Sequence, residues 1–372
     1  MTMMRQTPLI QQHRASGAKL VDFAGWEMPI QYTGVVDEYH TVRSHVGLFD
    51  VSHMGRARIA GTGAVSFLQR VTTNDVGKLA VSQAQYSMVC NENGGIKDDV
   101  FVYRLAPDEF LLCVNASNRE KILSWLRSQL AQDKTVRLED RSVEMSQIAV
   151  QGPKSRELLM SLGGTALEGL KLHHTCDGTI GGLSCLLART GYTGELGYEI
   201  YIDADKVGQL WDLLIDKGQA WGIKPAGLGA RDLLRLEMGY LLYGNDMGED
   251  TTPLEASADW TVSFQKGEFI GSQTLLAQKQ AGVPRRFVAF ELIEKAVPRH
   301  GFKILDPATS QPIGEVTSGN FSPLLQKGIG LGYVPARFAE PGTSILIEIR
   351  SKTVPAQIIK APFYKKPKAK SL

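Results

Sequence analysis

The chain has 372 residues, of which 43% are apolar and 22% charged, a composition typical of a globular protein large enough for two or three domains. Its 41 Lys and Arg against 39 Asp and Glu leave a formal net charge of +2, which excludes the basic excess of a dedicated nucleic-acid-binding protein. No apolar run is long enough to span a bilayer, and Met1 to Ile10 lack the apolar core of a signal peptide. We therefore expect a cytoplasmic protein that binds neither nucleic acid nor membrane.

The cysteine and glycine content narrows the possible structural class of the protein further. The four cysteines show no C-x-x-C spacing, so neither a disulfide scaffold nor a zinc site is expected, and free thiols suit a reducing compartment. The 38 glycines exceed the usual share of ~7%, which favours many turns and strands over a helical bundle. The composition predicts a mixed α+β protein.

The segment from residue 52 to about 140 predicts one α+β unit. Thr62 is the expected N-cap of its first helix. Two apolar strands, 84–90 and 96–105, flank the turn Asn91–Gly95, whose Asn-Gly step is a strong hairpin signal. A sheet of antiparallel strands is therefore expected here.

A third strand, Phe110–Val114, extends this predicted sheet. The pattern Ser117-x-x-Glu120 matches a capping box that opens a helix. That helix would place three apolar residues on one side: Ile122, Leu126 and Leu130.

The second half of the chain begins with strands and helices and ends in strands. An amphipathic helix is predicted by the apolar stripe from Val207 to Ile215, and another helix is expected over 230–241. The Lys-rich end, Lys365 to Lys370, is expected to be a mobile tail. Beyond residue 251, strand-like runs between Gly and Pro turns predict a small β-barrel: 287–293, 312–318, 328–334 and 344–350.

Familiar cofactor signatures are missing from the sequence. The segment 227–232 (GLGARD) starts like a dinucleotide fingerprint, but it has Asp at the third glycine position and follows no clear strand. No Walker A sequence and no Gly-x-Ser-x-Gly elbow occur. His40 and His45 are spaced so that they would not share a helical face, and there is no H-E-x-x-H motif, so a metal site is not expected.

Asp98 and Asp99 follow the hairpin turn at the start of an apolar strand, where charge is costly to bury. Strand alternation aligns Asp99 with Phe101 and Tyr103, whereas Asp98 is aligned with the aliphatic side chains. A carboxylate beside aromatic rings can hold a nitrogen heterocycle or move its protons. The alternative is that both acids only solubilise the end of a strand.

Two other segments have the residue types of a ligand wall. Residues 190–199 (TGYTGELGYE) place acids and tyrosines on a backbone made permissive by glycines, although an exposed hairpin edge explains the pattern equally well. Arg231 would suit a clamp for a ligand carboxylate, or it and Asp232 are solvated residues of a first helical turn.

Taken together, these segments resemble one family, the aminomethyltransferase of the glycine cleavage system, known as its T-protein. The matching motifs run nearly from end to end and several are almost uninterrupted: VDFAGWEMP (21–29), GLFDVSHMG (47–55), NENGGIKDD (91–99), VQGPKSRE (150–157), RTGYTGELGYEI (189–200), PAGLGARDLLRLE (225–237), LLYGNDM (241–247) and TSGNFSP (317–323).

The resemblance implies an α+β fold of three domains in a cloverleaf around a central folate cavity, with a C-terminal β-barrel domain. The first, folate-binding domain would comprise 1–51 and 141–250, the inserted α+β domain 52–140, and the barrel domain 251–372. It also implies the reaction. The methylene carbon of the aminomethyl-dihydrolipoyl H-protein passes to tetrahydrofolate, giving 5,10-methylenetetrahydrofolate, ammonia and dihydrolipoyl H-protein.

The partners and cofactors follow from the same resemblance. Tetrahydrofolate would be a co-substrate, the lipoylated H-protein the carrier, and P-protein and L-protein functional partners. The carbon stays at the oxidation level of formaldehyde, which fits the missing nicotinamide and flavin signatures, and no metal is expected.

The resemblance also implies roles for particular residues. Asp99 matches the family's acid beside the folate, the residue that strand alternation also selects, and would handle protons around the folate nitrogens. The remaining matched positions would bind the folate: Met54, Tyr86, Tyr103, Asn115, Tyr192, Glu199 and Arg231.

Two related functions are the alternatives. A folate-dependent demethylase module would need a flavin domain that oxidises an N-methyl amine, and this chain carries none of its signatures. A folate-binding iron-sulfur assembly factor of the same fold is marked by a Lys-Gly-Cys-Tyr-x-Gly-Gln segment, which is absent, and the corresponding region here resembles PAGLGARD.

Overall fold

The computed structural model describes residues 4–131, 133–350 and 352–365. These residues form two compact units. The first contains the chain up to Val89, Lys97–Arg231 and Gln265–Phe269, and the second contains Cys90–Ile96, Asp232–Phe264 and the described residues from Ile270 onward. The division into three domains stays a prediction.

Helices occur in both units and are short. In chain order they are α1 Ile10–Ala15, α2 Val35–Ser44, α3 Ala64–Val71, α4 Arg119–Leu130, α5 Ser155–Ser161, α6 Val207–Lys217, α7 Leu228–Glu237 and α8 Ser272–Ala281. Within the described residues, none of them is long and apolar enough to cross a membrane.

Strands make up the rest of the regular structure. Those of the first half of the chain are β1 Lys19–Phe23, β2 Trp26–Gln31, β3 Val46–Asp50, β4 Gly55–Ala60, β5 Ala84–Cys90, β6 Ile96–Ala106, β7 Glu109–Val114, β8 Arg137–Asp140 and β9 Met145–Gln151. Those of the second half are β10 Thr175–Ile180, β11 Leu183–Ala188, β12 Gly197–Asp203, β13 Ile223–Pro225, β14 Arg285–Leu292, β15 Lys303–Leu305, β16 Pro312–Ser322, β17 Lys327–Pro335, β18 Ser344–Ile349 and β19 Lys352–Ile359.

The first unit is built on two large sheets. One has the strand order β5-β6-β7-β4-β8, and the other has the order β10-β11-β12-β9-β3-β13. Helix α6 packs on the second sheet, because its residues Leu210 and Trp211 join Leu48, Val150 and Ile200 in one buried apolar cluster. The apolar stripe that predicts this helix is therefore its core-facing side.

The two sheets of the first unit meet through a smaller buried cluster. Tyr103 and Cys113 come from the five-stranded sheet, and Ala188 and Tyr201 from the six-stranded sheet. Met54 packs against this cluster and is half-buried. The site described below surrounds this junction.

The hairpin between β5 and β6 forms as its Asn-Gly turn predicts. The side chain of Asn91 accepts the N–H groups of Asn93 (3.0 Å) and Gly95 (2.9 Å), and Gly94 has a φ of +79° that favours glycine. Beyond the turn, Asp98, Val100 and Val102 are buried while Lys97, Asp99 and Phe101 are half-buried, so the strand alternates as expected.

The second unit contains the predicted barrel, a closed sheet in the order β14-β17-β16-β15-β18-β19. Its interior is aliphatic and aromatic, with Phe290, Ile304 and Ile347 fully buried. A Cβ atom at Gly330 would lie 2.3 Å from the Phe290 ring, so this position of β17 has room only for glycine.

Several helix ends differ from the sequence predictions. Helix α3 begins at Ala64 after Gly63, so Thr62 is not its N-cap. The predicted capping box is wrong as well, because Ser117 lies in a 3-10 turn and α4 begins at Arg119. Its N-cap residue, Asn118, turns its amide to Asp98 instead (2.7 Å).

Other elements are missed or cut short. Helix α7 ends at Glu237, not at residue 241, because Gly239 takes a φ of +68°. Helix α8 has only Leu275 buried and therefore shows no apolar stripe in the sequence. Strands β15 and β19 close the barrel but are not predicted. All but Lys365 of the predicted tail lies outside the described residues.

Candidate active site

Asp99 lies on the aromatic side of β6, where two neighbours hold its carboxylate. The hydroxyl of Tyr86 on β5 donates to Asp99 Oδ2 (2.8 Å), and the amide of Asn115, at the end of β7, donates to Oδ1 (2.6 Å). Asp99 itself is half-buried. Three of the predicted site residues are therefore in direct contact.

Asp98 points to the opposite side of the strand and is fully buried. It accepts the backbone N–H of Asn115 (3.1 Å) and the side-chain amides of Asn115 (2.9 Å) and Asn118 (2.7 Å). The amide nitrogen of Asn115 thus bridges the two carboxylates. Neither acid merely solubilises the end of a strand.

The environment raises the pKa of both carboxyl groups above their ordinary values. Burial is the largest cause for each, and the closeness of the two carboxyl groups adds to it, because a charge on one disfavours a charge on the other. Hydrogen bonds from Tyr86, Asn115 and Asn118 act in the opposite direction. A buried pair that cannot cheaply carry two charges will hold a proton near neutral pH, which suits proton transfer.

Aromatic rings line the same side of β6 as Asp99. The ring centroids of Tyr86 and Phe101 are 6.1 Å apart, and those of Phe101 and Tyr103 are 5.5 Å apart. Burial, followed by the charge of Asp99, raises the pKa of the Tyr86 hydroxyl, and Tyr192 lies near enough to contribute. The Tyr86 hydroxyl therefore stays protonated as a donor.

Glu199 forms a second polar cluster at the junction of the sheets. It accepts from Thr190 Oγ1 (2.5 Å), Gln147 Nε2 (3.2 Å) and the Tyr103 hydroxyl (3.4 Å), which in turn accepts from the Tyr201 hydroxyl (3.0 Å). Tyr103 has no exposed surface and Glu199 is 9% exposed. Both are thus held by side chains of the protein itself.

Arg231 lies in the first turn of α7, with its guanidinium 4.9 Å from the centroid of the Tyr192 ring. Its Nη1 atom is buried and has no hydrogen-bond partner among the described residues. Glu38, itself fully buried, accepts the N–H of Gly227 (2.8 Å) just before this turn and fixes its position. A guanidinium that has a buried and unused donor is a strong site for an acceptor atom of a ligand.

Four polar residues around the site are missing from the sequence prediction. Gln147 and Thr190 hold Glu199, and Asn118 holds Asp98. His53 is buried next to Met54, its Nδ1 atom has no hydrogen-bond partner in the described structure, and burial lowers its pKa to about 4. Gln147 and His53 are polar residues within apolar segments, which is the signal that could have revealed them.

The described residues contain no group of three or more His, Cys, Asp or Glu side chains arranged to hold a metal ion. The charged groups described above are instead Asp98, Asp99, Glu199 and Arg231. Together with the aromatic rings, they suit an organic ligand that has both a flat ring system and polar nitrogens.

Comparisons with known proteins identify the family to which the chain belongs. The GCVT N-terminal domain matches residues 9–266, and the glycine cleavage T-protein C-terminal barrel domain matches residues 285–365. The aminomethyltransferase of Halothermothrix orenii is 46% identical over 360 residues, which cover 97% of this chain and 100% of that protein. The aminomethyltransferase of Desulfitobacterium hafniense is 44% identical, with 98% of this chain and 100% of that protein covered.

A solved structure is also similar. The crystal structure of glycine cleavage system aminomethyltransferase T from Bartonella henselae has a TM-score of 0.90 and 33% identity, with 97% of this chain and 98% of that chain covered. The chain is thus an enzyme of the transferase class. It belongs to the glycine cleavage T-protein family of aminomethyltransferases, a family that uses tetrahydrofolate.

These findings confirm the predicted family, the mixed fold with a C-terminal barrel, and the predicted aminomethyltransferase function. They support that function over the demethylase and the iron-sulfur assembly factor. The roles of the individual site residues stay predictions.

Proposed function

We propose that this chain binds tetrahydrofolate at the site around Asp99 and transfers to it the methylene carbon of an aminomethylated lipoyl arm. The observation that carries the proposal is the half-buried carboxyl of Asp99, held by Tyr86 and Asn115 beside a row of aromatic rings. A pterin is a flat heterocycle with several nitrogens, and such a wall fits both its face and its polar edge.

The reaction needs a group that both accepts and releases protons. The bonds from the methylene carbon to sulfur and to the amine nitrogen break, and two bonds to folate nitrogens form. The two protons that leave the folate nitrogens depart with ammonia and with the thiol of the lipoyl arm. Asp99 is the expected carrier of these protons, because a carboxyl with a raised pKa can do both near neutral pH.

The remaining predicted site residues divide by what they touch. Tyr86 and Asn115 orient Asp99, and Arg231 offers its unused Nη1 donor to a polar group of the folate. Tyr192 supports the guanidinium, and Met54 supplies an apolar contact beside the junction of the sheets. Tyr103 and Glu199 support the wall from behind, because they are bonded to each other and almost fully buried.

The proposal includes partners and compartment. The lipoylated H-protein of the glycine cleavage system would deliver the carbon, with P-protein and L-protein as functional partners. The four cysteines are free thiols in the structure, which fits the reducing cytoplasm. No metal, flavin or nicotinamide takes part in the proposed reaction.

The proposal is tested with the full chain, aminomethylated H-protein and tetrahydrofolate. Ammonia and 5,10-methylenetetrahydrofolate are measured together, with and without folate and with unlipoylated H-protein as the control. We expect equal amounts of both products only when both substrates are present. Ammonia without methylenetetrahydrofolate in the complete reaction would contradict the assigned acceptor.

A further inference from the structure

We propose that Asp98 is a positioning residue for Asp99: it stays ionised, orients Asn115, and by its charge keeps a proton on Asp99. The part that concerns catalysis rests on the proposed function, in which Asp99 carries protons. The part that concerns which acid holds the proton rests on the hydrogen bonds alone.

The partners of Asp98 are all groups that can only donate. They are the backbone N–H of Asn115, the amide of Asn115 and the amide of Asn118, at 3.1, 2.9 and 2.7 Å. An amide N–H cannot accept a hydrogen bond, so a proton on Asp98 would face donors and lose at least one of these bonds. The arrangement is therefore satisfied by the ionised form.

Asp99 differs because one of its partners can reverse direction. The hydroxyl of Tyr86 donates to Oδ2 when Asp99 is ionised, and it can accept when that oxygen carries a proton. Oδ1 remains free to accept from the Asn115 amide in both states. A single proton on the pair can therefore sit on Asp99 without the loss of a hydrogen bond. On Asp98 the same proton would remove one.

The side chains that hydrogen-bond to the two carboxyl groups are neutral. Tyr86 from β5 is the titratable side chain that contacts Asp99, and because its pKa is raised it stays neutral at pH 7. Asn115 and Asn118 on the other side carry no charge. Lys97 precedes Asp99 by two residues on the same face of β6, and its ammonium lies over the Trp125 ring, 6.0 Å from the ring centroid.

The amide of Asn115 couples the two acids mechanically as well. Its nitrogen donates to Asp98 Oδ1 (2.9 Å), to Asp99 Oδ1 (2.6 Å) and to the backbone carbonyl of Asp99 (3.2 Å). Asp98 also accepts the backbone N–H of the same residue, so it holds both the backbone and the side chain of Asn115. Asp98 therefore fixes the donor that aims the Asp99 carboxyl.

The first experiment observes the proton without substrates. Infrared spectra of protein labelled with carbon-13 aspartate follow the carbonyl band of protonated carboxyl groups as the pH is raised. We expect the wild type to keep such a band up to about neutral pH, and Asp98→Asn to lose it about one pH unit or more lower, since a neighbouring negative charge has been removed. An unchanged titration in Asp98→Asn would overturn the proposal.

Asp99→Asn keeps the test decisive if Asp98→Asn does not fold. In this variant we expect the neutral-pH band to be absent, because Asp98 remains ionised among its donors. A band that survives in Asp99→Asn would identify Asp98 as the carrier of the proton and refute the assignment. Asp108→Asn, the same chemical change in the exposed turn between β6 and β7, is the matched control and should leave the band unchanged.

The second experiment adds the reaction. We expect the acidic limb of the pH profile of kcat/KM to move down by about one pH unit or more in Asp98→Asn, and to stay in place in Asp108→Asn. A loss of rate that is equal at every pH would show a merely structural role for Asp98 and contradict the proposal. If the infrared titration moves but the chain shows no transfer activity at all, the proposed function fails while the assignment of the proton stands.

Discussion

Two buried carboxylate clusters in this chain have opposite electrostatics. In the second unit, Asp246 is fully buried and paired with the guanidinium of Arg235 (2.6 Å), with further bonds from Leu242 N–H, Thr317 and Ser318. In the first unit, Asp98 and Asp99 are surrounded by amides and a phenol. A cation partner lets a buried carboxylate such as Asp246 stay ionised, whereas two adjacent buried carboxyl groups together take up a proton.

The first way to test this contrast is to remove the cation from Asp246. Arg235→Met should lower the free energy of unfolding by about 3–5 kcal/mol, because a fully buried charge loses its partner. Chemical denaturation measures the change. Lys303→Gln, which breaks a pair whose side chains are both 47% exposed, is the control and should cost less than about 1 kcal/mol. Equal losses in the two variants would mean that burial does not separate these pairs.

The second test removes the carboxyl group of Asp99. Asp99→Asn should lower the rate of methylene transfer by ~10²-fold or more, the scale of a lost proton-transfer group, while the protein stays folded. Steady-state assays and thermal melting measure the two effects. If Asp98→Asn abolishes activity and Asp99→Asn is mild, the assignment of the two faces of β6 is reversed.

The third test concerns Arg231, whose Nη1 atom is a hydrogen-bond donor without a partner among the described residues. Arg231→Ala should weaken tetrahydrofolate binding by about 10-fold or more, since one charge-assisted hydrogen bond is lost, with little change in melting temperature. Calorimetric titration measures the affinity. Arg14→Ala, which removes an arginine that is 47% exposed and paired with Glu27, is the control. Unchanged folate affinity in Arg231→Ala would make Arg231 a structural residue only.

The smallest expected effect is a pH dependence of stability. Because the folded state raises the carboxyl pKa of Asp99, the acid stabilises the fold below its unfolded pKa of about 4 and loses that contribution as the pH rises through the folded value. Relative to the wild type, Asp99→Asn should therefore gain stability between pH 4 and pH 7, by about 1.4 kcal/mol for each pH unit by which folding raises the carboxyl pKa. Denaturant titrations at several pH values measure the difference, and a constant difference would show that the pKa is not raised.

The sequence predicts well whatever depends on neighbours along the chain. The side of β6 that carries Asp99 follows from strand alternation, and the hairpin follows from its Asn-Gly turn. The stripe of α6 follows from its helical spacing. In these elements the local sequence pattern already matches the observed structure, so tertiary contacts do not override it.

Contacts between segments that are distant along the chain could not be predicted from the sequence. The side chain of Asn118 makes no capping hydrogen bond to α4. Its amide nitrogen donates instead to Asp98, on a strand two elements earlier. Gln147 reaches Glu199 only because β9 and β12 pair in one register. Helix α8 forms with a single buried residue, so no apolar stripe in the sequence could have indicated it.

The turn after β5 limits which mutations this enzyme can tolerate. Asn91 bonds both Asn93 and Gly95, so the length of the turn is fixed by a closed set of hydrogen bonds. A one-residue slip of β6 could put Asp98 in the place of Asp99 and would turn the Asp99 side chain to the opposite face of the sheet. Substitutions at the turn's exposed residues should thus be tolerated, whereas single-residue insertions and deletions between Asn91 and Asp99 should be eliminated from any library selected for activity.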